Sequence, residues 1–182
     1  KGKVFQKART AFLKTLTPTG FITSPIFLNH DTGLLHPESP ERLKSINARL
    51  KKSEVMEHLM SIEPRPAQRQ ELGLVHSRGY IDSIKSRCEN GVTVLDGGDT
   101  IVSPSSYSVA LQAAGGVVRA VEMIYRREIS NAFCAVRPPG HHAEADTAKG
   151  FCLFNNAAVA AKMAQKAHGA DRILILDWDV HH

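Results

Sequence analysis

The chain has 182 residues, of which 42% are hydrophobic, and it carries a net charge of +5. This is enough to bury a core, so we expect one domain or a large part of one. No apolar run in these residues approaches the length that a bilayer needs, so nothing suggests a membrane span. Three scattered cysteines, Cys88, Cys134 and Cys152, form neither a disulfide framework nor a cysteine-based zinc site. We therefore expect a reducing, cytoplasmic compartment.

The excess positive charge is concentrated at the start of the chain. Five basic residues precede the first acidic residue, Asp31, and they equal the whole net charge: Lys1, Lys3, Lys7, Arg9 and Lys14. We interpret residues 1–18 as a basic N-terminal extension, with a targeting remnant or a partner-binding arm as alternatives. Because the rest of the chain is balanced, the charge does not predict direct binding of nucleic acid.

The first half of the chain predicts short strands and amphipathic helices. Residues 25–28 predict the first strand. Ser39, as N-cap, and Pro40, in the first turn, predict the start of a helix. Residues 72–75 predict a short strand, and a further helix is expected from Tyr80 to about residue 90.

The second half alternates strand and helix more clearly. In chain order it predicts a tight turn at 96–99, a long helix at 104–127 in which Gly115-Gly116 allows close packing, a strand at 132–136 and a helix at 156–167. Prolines at 138 and 139 must end the strand, because proline cannot donate to a sheet ladder. This alternation predicts a three-layer α/β/α fold with a mostly parallel sheet.

The last ten residues are the most informative stretch. Residues 173–176 are four consecutive aliphatics, which predict a buried central strand. Because strand side chains alternate between faces, Asp177, Asp179 and His181 would then share one face. Two carboxylates and an imidazole in a dry site favour a metal ion. The alternative is a polar loop that is solvated or caps a following helix.

A second polar cluster, His141-His142, follows the strand that the prolines end. Ligands in open α/β sheets bind at the carboxyl ends of strands, so both polar clusters are expected at one site. Adjacent histidines in a polar turn are the alternative interpretation.

Three motifs follow one another in the second half of the chain: Arg137-Pro-Pro-Gly-His-His-Ala143, Gly150-Phe-Cys-Leu-Phe-Asn-Asn156 and Asp177-Trp-Asp-Val-His-His182. Earlier come His36-Pro-Glu-Ser-Pro-Glu-Arg-Leu43 and His76-Ser77 with Tyr80-Ile81. Together they resemble the zinc-dependent histone deacetylase family, in particular its class II and bacterial amidohydrolase or acetylpolyamine amidohydrolase branch. The resemblance covers residues 19–182 and implies an arginase-like fold and water-mediated hydrolysis of an acetyl amide.

The resemblance also implies the chemistry of the two clusters. Asp179 and His181 look like two of three zinc ligands. His141 and His142 look like the tandem acid/base histidines, with the main role on His142. Asp177 resembles the carboxylate that orients His141, and a monovalent cation site, usually potassium, would lie beside it.

Substrate contacts are implied at four further positions. Gly150 and Phe151 would line an apolar tunnel for the stem of an acetylated lysine or acetylated polyamine, although Phe151 could also be ordinary core. Asp99 would be the rim carboxylate, with Asp96 as a competitor and plain turn residues as the alternative. Arg42 would lie in the acetate-release channel, unless it is a solvated helix residue. No membrane partner is expected, and the sequence leaves open whether the protein forms an oligomer.

Three elements of the family pattern have no counterpart up to His182: the third zinc ligand, the oxyanion donor and the carboxylate partner of the second histidine. We therefore expect residues 19–182 to be the N-terminal part of the domain, with essentially no catalysis by themselves and a strand edge prone to association. Two alternatives remain: an arginase-type ureohydrolase with two manganese ions, against which the order Asp-x-Asp-x-His argues, and a non-catalytic binding module.

Overall fold

The computed structural model describes residues 17–182. Within this range three parallel strands form one sheet in the order β2-β1-β3, where β1 is Thr19–Ile22, β2 is Leu59–Ile62 and β3 is Asn131–Cys134. β1 is central and pairs with both neighbours over its full length. Of the basic extension predicted for residues 1–18, only the last two residues are within the described range.

Five α-helices accompany the sheet in the described range: α1 Pro40–Lys51, α2 Arg69–Leu72, α3 Arg78–Glu89, α4 Ser106–Tyr125 and α5 Asn156–His168. Short 3-10 helices cover Pro25–Asn29 and Glu54–His58. No helix among residues 17–182 has both the length and the apolarity needed to cross a membrane.

The core is built around α4, whose small residues permit close contacts. A Cβ on Gly115 would lie 2.0 Å from the carbonyl oxygen of Arg65, so only glycine fits where the helix meets this segment. This confirms the close packing predicted for Gly115-Gly116. Consecutive residues of β1 enter different clusters, since Phe21 packs in the cluster of Phe27 and Val109, whereas Ile22 packs in the cluster of Ile62.

The helices predicted from periodicity and capping are confirmed. Ser39 is the N-cap of α1 and Pro40 its first residue, although the Ser39 side chain makes no capping hydrogen bond. α5 begins behind Asn155, whose Oδ1 accepts a hydrogen bond from the N–H of Ala158 at 3.0 Å. It ends at Gly169, which has a left-handed φ of 69°.

Two short strand predictions in the first half are wrong. Residues 25–28 belong to a 3-10 helix that begins at Pro25, directly after its N-cap Ser24. Residues 72–75 end α2 and continue as turns, with N–H groups of Val75 and His76 bonded to the carbonyl of Leu72. The actual strands β1 and β2 were not predicted, since four residues carry too little pattern to separate a strand from a turn.

The expected central strand at residues 173–176 is not formed either. Leu174 and Leu176 are 88% and 72% exposed, and the segment pairs with no strand of the described sheet. A central strand is buried only when strands on both sides and helices on both faces cover it. The described residues do not provide such cover for residues 173–176. The aliphatic pattern alone therefore does not bury this segment.

Candidate active site

A pocket of about 910 Å³ brings the motif residues together. It lies between the loop after β3, the loop before α5, the turn at residues 96–99, the start of α1 and the end of the chain. Every residue with a predicted site role lines it except Asp177: Arg42, Asp99, His141, His142, Gly150, Phe151, Asp179 and His181. Segments far apart in sequence therefore meet at one cavity, as expected from the two clusters.

Asp177 contacts the pocket through a histidine. His141 Nδ1 lies 2.8 Å from Asp177 Oδ2, and the His141 and His142 rings are 4.3 Å apart between centroids. The pKa of Asp177 is lowered by the N–H of Asp179, which donates to Oδ1, and by His141. A charged carboxylate accepts a hydrogen bond from Nδ1–H, so this contact leaves Nε2 as the nitrogen of His141 that carries the free lone pair.

His142 packs against Gly150. A Cβ on Gly150 would lie 2.4 Å from Cδ2 of the His142 ring, and the φ of Gly150 is +54°. Both the close approach and the left-handed backbone require glycine at this position. The second histidine therefore has its position fixed by the backbone of the loop before α5.

The start of α5 holds the loop that carries the histidines. The Asn155 amide donates to the carbonyls of His141 at 3.4 Å and Ala143 at 3.3 Å. Asn156 donates to the carbonyl of Pro138 at 3.2 Å. The two asparagines that end the motif beginning at Gly150 thus position the histidine loop, a role that the sequence analysis did not assign.

A buried ion pair joins this loop to the segment before α1. Arg137 donates from Nε and Nη2 to the two carboxylate oxygens of Glu38 at 2.6 and 2.7 Å, and from Nη1 to the carbonyl of Phe27 at 2.8 Å. Arg137 is 3% and Glu38 1% exposed. The bidentate geometry links the strand end before His141 to the segment before Arg42. Sequence reasoning missed this pair, although both residues lie in quoted motifs.

The turn at residues 96–99 contains Asp96 and Asp99, the two candidates for the rim carboxylate, and their surroundings differ. Asp96 Oδ1 accepts the N–H groups of Gly98, Asp99 and Thr100 at 2.9–3.1 Å. Burial alone would raise the pKa of Asp96, but the hydrogen bonds from Thr100 and Gly98 hold it well below its usual range. Asp99 lines the pocket, and its neighbour Asp96 raises its pKa. Asp99, not Asp96, therefore borders the cavity.

Asp179 and His181 both line the pocket, but not on a strand face. Asp179 Oδ1 accepts the N–H of His181 at 2.8 Å, so a turn brings the two side chains to the cavity. A carboxylate oxygen and an imidazole nitrogen are donors that zinc accepts, and zinc sites need at least one donor more from the protein. Between residues 17 and 182, no group of three or more such donors is assembled. In chemical type, though not in number, these two donors are compatible with zinc.

Comparison with known proteins assigns the family. The model of the histone deacetylase domain matches residues 36–182. The chain belongs to the histone deacetylase family. The family predicted from the quoted motifs is thereby confirmed.

Histone deacetylase relatives occur in distant organisms. Human polyamine deacetylase HDAC10 is 39% identical over 150 residues, which are 80% of this chain and 22% of that protein. The histone deacetylase-like amidohydrolase of Pseudomonas aeruginosa is 38% identical over 147 residues, or 81% of this chain and 38% of that protein. The chain thus spans less than half the length of these two relatives.

A solved structure supports the fold. The HD domain of HDA15 superposes with a TM-score of 0.85 at 37% sequence identity, covering 91% of this chain and 48% of that one. The predicted arginase/deacetylase-like α/β class is confirmed by this neighbour together with the parallel sheet.

His76, in another quoted motif, supports the same loops through two hydrogen bonds. Its Nδ1 donates to the carbonyl of Glu144 at 2.8 Å, and its Nε2 accepts the N–H of Asn155 at 3.0 Å. The side chain is 2% exposed, and burial lowers its pKa. A neutral imidazole with one donor and one acceptor satisfies both contacts. In this deacetylase-family chain, His76 is therefore a support of the site.

Proposed function

We propose that the protein is a zinc-dependent deacetylase, which hydrolyses the acetyl amide of an acetylated lysine or an acetylated polyamine. The observation that carries this proposal is the meeting of His141, His142, Asp179 and His181 at one pocket, with His141 bonded to Asp177. Membership of the histone deacetylase family and relatives named as deacetylases support it.

Asp179 and His181 would hold the zinc ion together with a further donor. When bound, zinc polarises the acyl oxygen and lowers the pKa of its water. The mixed oxygen and nitrogen donors suit zinc, and a potassium ion beside Asp177 is part of the same proposal.

The two histidines would move the protons. Asp177 holds the Nδ1 proton of His141 and so fixes its tautomer. His142, fixed against Gly150, is assigned the main acid/base role: one ring nitrogen accepts a proton from the attacking water and later passes it to the leaving amine. A base near neutral pKa suits both steps.

The remaining pocket residues would bind the substrate. Phe151 and Gly150 would form a wall along its aliphatic stem, and Asp99 at the rim would accept hydrogen bonds from the substrate backbone or amine. Arg42, which also lines the pocket, would attract the acetate that is released. All four line the same cavity as the histidines.

The test is acetate release by the full product of the gene that encodes this chain, measured with an acetyl-lysine peptide and an acetylated polyamine, with and without a zinc chelator. We expect release that the chelator abolishes. Absence of release from both substrates by zinc-loaded protein would contradict the proposal. Metal analysis runs in parallel, because two manganese ions per chain would favour a ureohydrolase instead.

Three variants assign the roles. His142→Ala should lower turnover about a hundredfold or more while zinc stays bound, whereas His181→Ala should lose the zinc. The matched control is His168→Ala. His168 ends α5, and its ring stacks on Tyr125, so its removal should change neither turnover nor zinc content. Zinc at wild-type stoichiometry in His181→Ala would refute the ligand assignment.

A further inference from the structure

Phe151 has an unusual backbone for a residue with a side chain. Its φ is +70°, in the left-handed region, and it lines the pocket. This conformation is unfavourable for a non-glycine residue and persists only where its surroundings impose it. The contacts that impose it are therefore part of the pocket's construction.

Thr100 makes the first of these contacts. Its Oγ1 accepts the N–H of Phe151 at 3.1 Å and donates to Oδ2 of Asp96. The Thr100 N–H also donates to the same carboxylate at 2.9 Å, and Thr100 is fully buried. The hydroxyl that holds Phe151 is thus itself fixed in direction by Asp96.

His36 makes the second contact, with the ring of Phe151. The His36 and Phe151 rings meet edge to face with centroids 4.8 Å apart at 78°. His36 Nε2 lies 3.1 Å from the carbonyl oxygen of Asp99, and its Nδ1 lies 3.1 Å from the N–H nitrogen of Glu38. Because a carbonyl oxygen only accepts, Nε2 donates to Asp99, whereas Nδ1 lies near both the N–H of Glu38 and, at 3.0 Å, its carbonyl oxygen. His36 therefore ties Phe151 to the residue at the pocket rim.

We propose that Thr100 and His36 are positioning residues: together they hold Phe151 in its left-handed conformation and so set the wall that binds the substrate's aliphatic stem. This inference rests on the proposed function. Phe151 touches the stem and not the reacting amide, so losing its position removes binding that is equal in the ground state and the transition state. The effect is a higher KM at nearly constant kcat.

A matched pair at Thr100 tests the hydroxyl. Thr100→Val keeps the shape and removes the acceptor, and we expect KM to rise about fivefold to tenfold, the effect of one lost hydrogen bond, with kcat changed less than about twofold. Thr100→Ser keeps the hydroxyl and should restore the wild-type KM. Thr147→Val, at a threonine bonded to its neighbour Asp146, is the control.

Variants of His36 test the second contact if Thr100→Val fails to fold. His36→Phe keeps a ring against Phe151 but removes the hydrogen bond to the rim, and His36→Ala removes both. We expect KM to rise in both, more in His36→Ala. The control is His58→Phe, on an exposed 3-10 helix.

Two outcomes overturn the inference while the proposed function stands: an unchanged KM in Thr100→Val and His36→Ala, or a fall in kcat with KM constant. A crystal structure of Thr100→Val gives a readout without turnover. We expect Phe151 to leave the left-handed region there, and a φ still near +70° would contradict the proposal even if the wild-type protein released no acetate.

Discussion

The Cα of Gly150 lies so close to the His142 ring that a methyl group there would come within 2.4 Å of Cδ2. Gly150→Ala must therefore displace the imidazole as well as strain the left-handed backbone. A displacement of this order at a catalytic group typically costs about a hundredfold in rate, and we expect that loss in kcat.

The control for Gly150→Ala is Gly91→Ala. Gly91 has a φ of +75°, and no atom lies within 4 Å of the position that a methyl group would take, so its substitution carries the strain without the collision. Backbone strain should lower the free energy of unfolding by about 1–2 kcal/mol in Gly91→Ala and by more in Gly150→Ala, which adds the collision; urea denaturation measures both. Equal kcat in the two variants would show that the contact with His142 does not matter.

Asp177→Asn should lower kcat about tenfold to a hundredfold, because the charged partner of His141 Nδ1–H is lost. The pKa of Asp177 is lowered in the folded protein, so its carboxylate is charged at neutral pH and its contribution is lost only as the pH falls through that lowered value. The carboxylate should therefore stay charged across an ordinary assay range of about pH 6 to 8, so the loss of kcat in Asp177→Asn should be present throughout that range. Asp171→Asn, at an exposed aspartate, is the control. A kcat equal to wild type would refute the orienting role.

The helices could be predicted because their signals are local. Ser39-Pro40 before α1 and Gly169 after α5 mark helix ends by chemistry that acts within one turn. The strand prediction at residues 173–176 failed because burial of an aliphatic run depends on neighbours that the run itself does not encode. A continuous apolar stretch is therefore a weaker signal than a cap.

Most of the pocket residues could be predicted because the motif resemblance assigns them roles, and Asp99 was reached from its turn. The supporting contacts could not. Asn155, His76 and Glu38 also lie in quoted motifs, but their importance arises from partners such as the carbonyl of His141 and the side chain of Arg137, which only the fold brings near. Hydrogen bonding between distant segments has no periodicity to detect.

The pair Arg137–Glu38 should dominate the stability of the loops around the pocket. Removing one partner leaves a buried charge uncompensated, so Arg137→Met should lower the free energy of unfolding by about 3–5 kcal/mol. Arg69→Met breaks the ion pair with Asp82. Both side chains of that pair are about half exposed and screened by solvent, so the loss should be much smaller than in Arg137→Met. Urea denaturation measures both. Similar losses in the two variants would mean that the buried ion pair contributes no more to the free energy of unfolding than the exposed one.

His30 should make stability depend on pH. It is fully buried, and burial lowers its pKa from 6.5 to about 4, with the attraction of Glu38 opposing this shift and the repulsion of Arg137 adding to it. The unfolded chain binds a proton on this residue below pH 6.5, whereas the folded chain does so only near pH 4. The free energy of unfolding should therefore decrease by an amount on the order of 3 kcal/mol as the pH is lowered from about 6.5 to below about 4.

His30→Gln isolates this effect, because glutamine retains hydrogen-bonding groups towards Ser106, to which His30 Nδ1 lies at 2.7 Å, but does not titrate. The variant should be less stable than wild type at about pH 7 and lose less stability on acidification, so the difference between the two should shrink as the pH falls to about 4. His168→Gln, at the end of α5, should follow the wild-type curve. A difference between His30→Gln and wild type that is the same at both pH values would show that His30 titrates alike in the folded and unfolded chains.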